Sequence, residues 1–578
     1  MEATFAEWIA RYDTPSPADR IALRRKLRML LEQPRISILL PVFNPDLKLL
    51  RSAIDSIKAQ IYENWELCIA DDASTDAETR PFLESLAAGD PRIHLTLRER
   101  NGYIAAATNS ALALATGSWS ALVDQDDTLA EDALAWVALE IAAHPDARLI
   151  YSDEDKINSQ GVRADPFFKP DWNPELFLGQ NYINHLGVYH TEMLRELGGF
   201  QEGFDGSQDY DLALRFIERL RPDQMRHIPR ILYHWRAIPG SVAAAIDAKP
   251  KATEGARRAL AQHLERRGSA ARVEPSRENP DRHRVIYELP SPAPLVSIII
   301  PMRDRVNLLK RCLDGIRQRT DYEQIEVIVV DNGSTERPAQ EFLTRLRSEQ
   351  RTQVLDERGP FNFSRLVNRG AAAARGDVLA LLNNDTEVED SGWLQEMVGY
   401  VQQPDVGAVG ARLWYQNRTL QHGGVVLGLG GIAGHAFAGA PRGSPGYFDR
   451  LLLPQDCSAV TGACLLVRKD VFQETGGFDK KNFPVSFNDI DFCLRLRHRG
   501  LRIIWTPYAN LIHHESASRG RQRTPQEEDQ FLREAARFRD KWGAQLLADP
   551  YYNPNLSLTG SGYKIAFPPR IAAPTISS

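Results

Sequence analysis

Ile36-Ser37-Ile38-Leu39-Leu40-Pro41 and Val296-Ser297-Ile298-Ile299-Ile300-Pro301 are two versions of one apolar run, and their likeness decides the fold. Leu67-Cys68-Ile69-Ala70-Asp71 has a counterpart in Val327-Ile328-Val329-Val330-Asp331, at the same spacing of roughly 260 residues. Thr108-Asn109 corresponds to Val367-Asn368, Gly117 to Gly376, and Asp124-Gln125-Asp126 to Asn383-Asn384-Asp385. Farther on, Gly198-Gly199-Phe200 corresponds to Gly476-Gly477-Phe478, Asp209-Tyr210-Asp211-Leu212 to Asp489-Ile490-Asp491-Phe492, and His234 to His513. Over that stretch the spacing lengthens by about 20 residues, which predicts an extra segment in the second copy around the glycine-rich run 421–439. Collinear matches along two halves establish an internal duplication.

Each copy alternates short β-branched runs with helical patterns such as 47–60 and 308–318, the texture of an α/β fold with a mostly parallel sheet. Ligands of such sheets bind at the carboxyl ends of strands. Asp71 and Asp331 end apolar strands, and the acidic triplets follow strands at 120–123 and 378–382. The reactive residue types are thus expected on one edge of each sheet. A helical segment occupies 1–33, domains span 34–272 and 294–541, a proline-rich linker with one strand (284–289) fills 273–293, and 542–578 forms an extended arm.

The chain has 578 residues, 43% of them hydrophobic and 25% charged, too many for one core. A net charge of −6 argues against a nucleic-acid binder. Five widely spaced cysteines without a C-x-x-C pair indicate neither disulfide framework nor thiolate zinc site and suit a reducing cytoplasm. Residues 1–12 lack a signal-peptide pattern, and no apolar run reaches the ~18 residues of a membrane span. The expected location is cytoplasmic, with peripheral contact at the inner face of the plasma membrane as one option. For that contact, Arg24, Arg25, Lys26 and Arg28 lie among Ile21, Leu23, Leu27, Leu30 and Leu31, a basic amphipathic helix that suits either anionic lipid or docking on the first domain.

Four stations recur in order in each copy. The first copy has Asp71-Asp72-Ala73-Ser74, Asp124-Gln125-Asp126-Asp127, Gln208-Asp209-Tyr210-Asp211 and His234-Trp235-Arg236. The second has Asp331-Asn332-Gly333-Ser334, Asn383-Asn384-Asp385, Asn488-Asp489-Ile490-Asp491 and His513-His514-Glu515-Ser516. Transfer of a sugar from a nucleoside diphosphate needs just such parts: hard oxygen ligands for a divalent cation and a carboxylate as general base.

With these motifs, and with Tyr151-Ser152-Asp153-Glu154-Asp155-Lys156, Phe168-Lys169-Pro170-Asp171-Trp172, Thr461-Gly462-Ala463-Cys464 and Tyr551-Tyr552-Asn553-Pro554, the chain resembles tandem-domain family 2 glycosyltransferases of the GT-A fold from bacterial surface-polysaccharide assembly. The resemblance implies that Asp71 and Asp331 hold the nucleotide base. It places Asp124 near the ribose or the metal and Asn383 near the ribose, and makes Asp126 and Asp385 ligands of a Mg²⁺ or Mn²⁺ ion that bridges the diphosphate. Asp209 and Asp489 become general bases of an inverting transfer, His234 and His513 further metal or diphosphate contacts, and Trp235 and Arg236 donor contacts. It also implies a nucleotide-sugar donor, a lipid-linked glycan acceptor and association with other polysaccharide-assembly enzymes. Members with an Asn-Asn-Asp loop resemble rhamnosyltransferases, which points to deoxythymidine-diphosphate rhamnose as donor.

Plainer roles compete with these. Aspartates at strand ends also serve as turn formers, and Asp209 and Asp489 as caps of the helices that follow. Recurrence in both copies favours function, and capping is compatible with it. Two other readings stay open: one domain is catalytic while the other binds acceptor, or the chain is a non-catalytic carbohydrate-binding scaffold. A nucleotidyltransferase lacks support, because no Gly-rich loop with following Arg and Lys comes after the first strand.

Overall fold

The computed structural model describes residues 4–237, 248–514 and 524–571. Glu515 and Ser516, quoted above, and the last residues of the arm lie outside them.

In the first domain the strands are β1 (Ile36–Val42), β2 (Trp65–Asp71), β3 (Ile93–Leu97), β4 (Trp119–Leu122), β5 (Thr128–Leu129), β6 (Leu149–Ile157), β7 (Gly187–His190) and β8 (Met225–Arg236). They form one sheet in the order β3-β2-β1-β4-β7-β6-β8-β5. The second domain has β9 (Val296–Met302), β10 (Ile325–Asp331), β11 (Thr352–Asp356), β12 (Val378–Leu382), β13 (Thr386–Val388), β14 (Val406–Trp414), β15 (Cys464–Arg468) and β16 (Arg502–His513). Their order, β11-β10-β9-β12-β15-β14-β16-β13, repeats the first. Register repeats too: Val42 pairs with Asp71 as Met302 pairs with Asp331.

The apolar runs are buried on both faces, as parallel strands must be. Ile36, Ile38, Leu40 and Val42 enter one core and Leu39 the opposite one; Val296, Ile298 and Ile300 are likewise separated from Ile299. Behind each sheet edge the same polar lock recurs. Ser37 donates to Glu66 (2.6 Å) and accepts from the Gly117 amide (2.9 Å), while Ser297 does so with Glu326 (2.5 Å) and Gly376 (2.9 Å).

The extra length of the second copy falls between β14 and β15, a connection that carries short strands at Leu420–His422 and Val425–Leu427 and a turn at Tyr447–Asp449. In the 273–293 region His283–Tyr287 forms a strand that pairs antiparallel with Ala271–Pro275. The basic helix Pro17–Arg28 docks on the first domain through Leu23 and Leu27, and Arg20 bonds Glu131 through Nη2 at 2.6 Å. Ile21, Met29 and Leu31 stay exposed. Among the described residues no helix is long and apolar enough to cross a membrane, and all five cysteines are free and buried.

The domains are clasped. Arg502 reaches Asp456 (3.0 Å), Asp405 (2.8 Å) and Glu175 of the first domain (3.5 Å). The arm crosses back to the first domain, where Asp153, fully buried, accepts from Lys169 N (2.8 Å), His227 Nε2 (2.9 Å) and Asn553 Nδ2 (2.9 Å).

Candidate active site

In the first domain the loops after β1, β2 and β4 are tied together at the sheet edge. Ser74 N donates to Asp71 (3.2 Å), Asn44 N to Ser74 Oγ (2.9 Å), and Phe43 N to Gln125 Oε1 (2.9 Å). This chain sets Asp71 at a fixed distance from the Asp124–Asp127 loop. Asp71 Oδ1 is buried without a hydrogen-bond partner, a site for an added donor such as a base N–H. The second domain repeats the frame: Ser334 N donates to Asp331 (3.0 Å) and Asp304 N to Ser334 Oγ (2.8 Å). Asn332 Oδ1 is the buried atom left without a partner there.

Asp124 and Asp209 line one cavity with Asn184 and His185. Asp209 lies in the first turn of helix Gln208–Ile217, Asp489 in that of Asn488–His498. Neither is the cap: Ser207 and Phe487 precede these helices, and each aspartate adds a charge near the positive end of the dipole. Asp209 accepts from Tyr210 N (2.8 Å) and Asn181 Nδ2 (3.3 Å), and also from the Asn184 amide. Burial raises its proton affinity, with His185 opposing. Asp489 accepts from Gly462 N (2.8 Å), and Ala463 O, one residue on, accepts from Asn383 N (3.0 Å). Strand entry 461–463 therefore couples Asp489 to the Asn383–Asp385 loop.

One donor atom each of Asp124, Asp127 and His185 lies within 4.8 Å of the others. Burial and the neighbouring Asp124 push Asp127 up to about 8, although Tyr233 Oη (2.6 Å) and Arg236 N (2.6 Å) donate to it. Asp124, facing the cleft, is raised by desolvation and by Asp126 and Asp209, with His185 opposing; Asp126 is raised by burial. Burial disfavours charge on His185, yet Glu154, Asp124 and Asp127 lift it to about 9. Such a concentration of carboxylate charge fits a divalent cation, which hard oxygen ligands and one imidazole accommodate once that imidazole has shed its proton.

Other expected residues sit differently. His234 Nδ1 lies 2.6 Å from the buried Asp155, whose other oxygen takes Arg163, so the ring belongs to an ion-pair network and stands outside the Asp124 group. Arg236 donates from Nε to the Asp126 carbonyl (2.7 Å), bracing the loop. Trp235 lines the wider cleft beside Asp209, its ring 6.3 Å from that of His185. His513 holds the position of His234, opposite Thr386 as His234 is opposite Thr128, but it does reach its loop: Nε2 is 3.1 Å from Asp385 and 3.2 Å from Asn383 Nδ2.

Sequence reading missed His185, Asn184 and Tyr233. Pairing of β4 with β7 and of β12 with β15 puts Ala463 where the first domain has His185, so the repeat that exposed the other residues is silent here. Asp127, which stood in the quoted triplet's shadow, has no counterpart in the second copy: Thr386, paired with His513 as Thr128 is with His234, follows Asp385 directly.

The sequence matches glycosyl transferase family 2 twice, over residues 37–198 and 297–476. It is 47% identical, over 94% of the chain, to the uncharacterised protein y4gI of Sinorhizobium fredii. It is 39% identical, over 97% of the chain, to O-antigen biosynthesis protein RfbC of Myxococcus xanthus. The chain spans 60% and 43% of those two relatives. Against the crystal structure of S. aureus TarS 1-349 in complex with UDP-GlcNAc the TM-score is 0.33, with 20% identity over 40% of this chain and 66% of that one; the fold assignment rests instead on the doubled sheet and the doubled family match. The chain belongs to glycosyl transferase family 2, with two α/β GT-A domains in tandem.

Proposed function

We propose that both domains, spanning 34–272 and 294–541, move sugars from nucleotide-sugar donors to a growing bacterial surface glycan, with inversion. The observation that carries this is the pairing, at the same edge of each sheet, of a helix-borne carboxylate with the loop that follows the fourth strand: Asp209 with Asp124 around one cavity, and Asp489 with Asn383 through Gly462 and Ala463. The acceptor hydroxyl oxygen attacks the anomeric carbon, the bond to the diphosphate oxygen breaks, and the hydroxyl proton passes to the carboxylate. Raised proton affinity at Asp209 suits that role. Asp71 and Asp331 hold the base, and Arg236 braces the acidic loop. Asp124, Asp126, Asp127 and His185 would hold a Mg²⁺ or Mn²⁺ ion in the first domain, Asp385 and His513 in the second; when bound it supplies positive charge to the leaving diphosphate. The Asn383-Asn384-Asp385 loop supports deoxythymidine-diphosphate rhamnose as a donor. Exposed Ile21, Met29 and Leu31 beside Arg24, Arg25 and Arg28 support peripheral contact with the anionic inner membrane face, where a lipid-linked acceptor resides.

The test is nucleoside-diphosphate release and product formation across a nucleotide-sugar panel with Mn²⁺ or Mg²⁺, for wild type, Asp209→Asn and Asp489→Asn. Each variant is expected to lose one product and keep the other. Absence of turnover with every donor and metal would end the transferase reading for this chain. A second reading, one catalytic domain only, is favoured by Ala463 and Asn383 standing where the first domain has His185 and Asp124, and by the second loop having no counterpart of Asp127 between Asp385 and Thr386. A wild-type profile for Asp489→Asn would establish it.

A further inference from the structure

Beside Asp209 opens a second, wider cleft of about 500 Å³, within the ordinary range for small-ligand sites. Its walls come from three parts of the chain. The first domain gives Asp209, Trp235 and Phe167, the connecting hairpin gives Arg282, and the second domain gives Phe448. Phe448 belongs to the connection between β14 and β15, which is longer than the one between β6 and β7 in the first copy.

That segment is fixed in place by several independent contacts. Phe448 stacks on Phe167 with centroids 3.9 Å apart and planes 9° from parallel. Gln180 Nε2 donates to its carbonyl (3.0 Å). Tyr447 Oη accepts from Phe168 N (2.9 Å) and donates to Pro166 O (2.7 Å). Arg282 Nε holds Asp449 at 2.7 Å. Phe448 and Asp449 both adopt the left-handed region, with φ of 47° and 63°, which costs free energy at side-chain-bearing residues and persists where surrounding contacts over-determine it. Packing alone would not require an aromatic ring held in this conformation at the rim of a cleft.

We propose that Phe448 is an acceptor-binding residue of the first domain: the second domain supplies an aromatic wall on which an uncharged sugar of the acceptor glycan lies, one hydroxyl directed at Asp209. This rests on the transferase reading. Aromatic faces suit the C–H face of a pyranose because both are apolar on that side. Charge selects a neutral sugar. Glu154, Asp155, Asp165, Asp209 and Asp281 line the cleft against Lys156, Arg282 and His185, and those three cations are already engaged by Asp165 (3.2 Å), Asp449 (2.7 Å) and Glu154 (3.2 Å). A uronate or phosphate would meet excess negative charge.

The full chain is titrated by calorimetry with neutral oligosaccharides released by mild acid from a uronate-free bacterial surface polysaccharide, and with an acidic pool as comparison. Phe448→Leu keeps apolar packing and removes the aromatic face; Phe448→Tyr keeps the face. Expected are binding about tenfold weaker for Phe448→Leu, equivalent to one lost aromatic contact, wild-type binding for Phe448→Tyr, and unchanged Asp489-dependent transfer. Wild-type binding by Phe448→Leu, equal loss in both variants, or preference for the acidic pool would overturn the proposal. Absence of donor turnover in a wild type that still binds the neutral pool through Phe448 strikes the transferase reading alone.

Discussion

Asp153 is the residue whose replacement tests the clasp between the arm and the first domain. It is fully buried and takes hydrogen bonds from a backbone amide, an imidazole and two asparagine side chains. Burial disfavours charge on His227, but Asp153, with a contribution from Asp171, lifts it from 6.5 to about 9. A folded value above the unfolded one stabilises most below the unfolded value, and that stability is lost as pH rises through the folded value. The ring is almost wholly buried (1% exposed), so screening by water is slight. At 1.36 kcal/mol per unit the shift corresponds to about 3 kcal/mol below pH 6, about 2.5 at pH 7 and under about 0.5 by pH 10. Asp153→Asn keeps the shape and removes the charge. Unfolding by urea, followed for wild type and variant between pH 6 and pH 10, should give a difference of about 2.5 kcal/mol at pH 7 that shrinks steadily as pH rises through 9. Subtracting the variant removes other groups that titrate in this window. A difference that stays constant from pH 7 to pH 10 would refute the assignment of the charge pair; one below about 0.5 kcal/mol at pH 7 would refute its contribution altogether.

Gly117→Ala and Gly376→Ala should each cost about 2 kcal/mol or more in thermal or urea unfolding, because an added Cβ meets the Arg35 carbonyl at 2.5 Å or the Leu295 carbonyl at 2.4 Å. His185→Ala should lower transfer by the first domain about a hundredfold and leave that of the second, which has Ala463 there, unchanged in product analysis. Chelation should abolish nucleoside-diphosphate release, with Mn²⁺ or Mg²⁺ restoring it; release that survives chelation would remove the cation from the mechanism. Flotation with anionic vesicles at low salt should recover the chain, and Arg24→Glu with Arg28→Glu should abolish recovery without altering turnover on a soluble acceptor.

What could be read from the sequence was what duplication makes visible. Asp71 with Asp331, Gly117 with Gly376, and Asp209 with Asp489 announce themselves because each occurs twice in the same order, and topology then places them at equivalent points of two sheets. His185 escaped because its counterpart is an alanine. The different fates of His234 and His513 were also hidden: both occupy one position on the eighth strand, but Asp155 draws one imidazole away while Asp385 keeps the other. Phe448 was beyond reach for another reason, since it acts in a domain other than the one whose chain segment carries it. The capping reading of Asp209 was two residues out, a matter of where Ser207 ends the loop.

Asn553 and Asp153 touch across a sequence separation of 400 residues. During synthesis, at ~5–20 residues per second, the first domain therefore waits on the order of half a minute to a minute for its last contacts. Until then Asp153 and the Lys169 carbonyl lack their asparagine partners from the arm, and the apolar cluster that Phe168 shares with Tyr552 is incomplete. The nascent first half thus keeps this apolar patch uncovered until the arm emerges. Dividing the gene between its two domains would yield a first half that never reaches its finished state unless residues 549–570 are supplied with it.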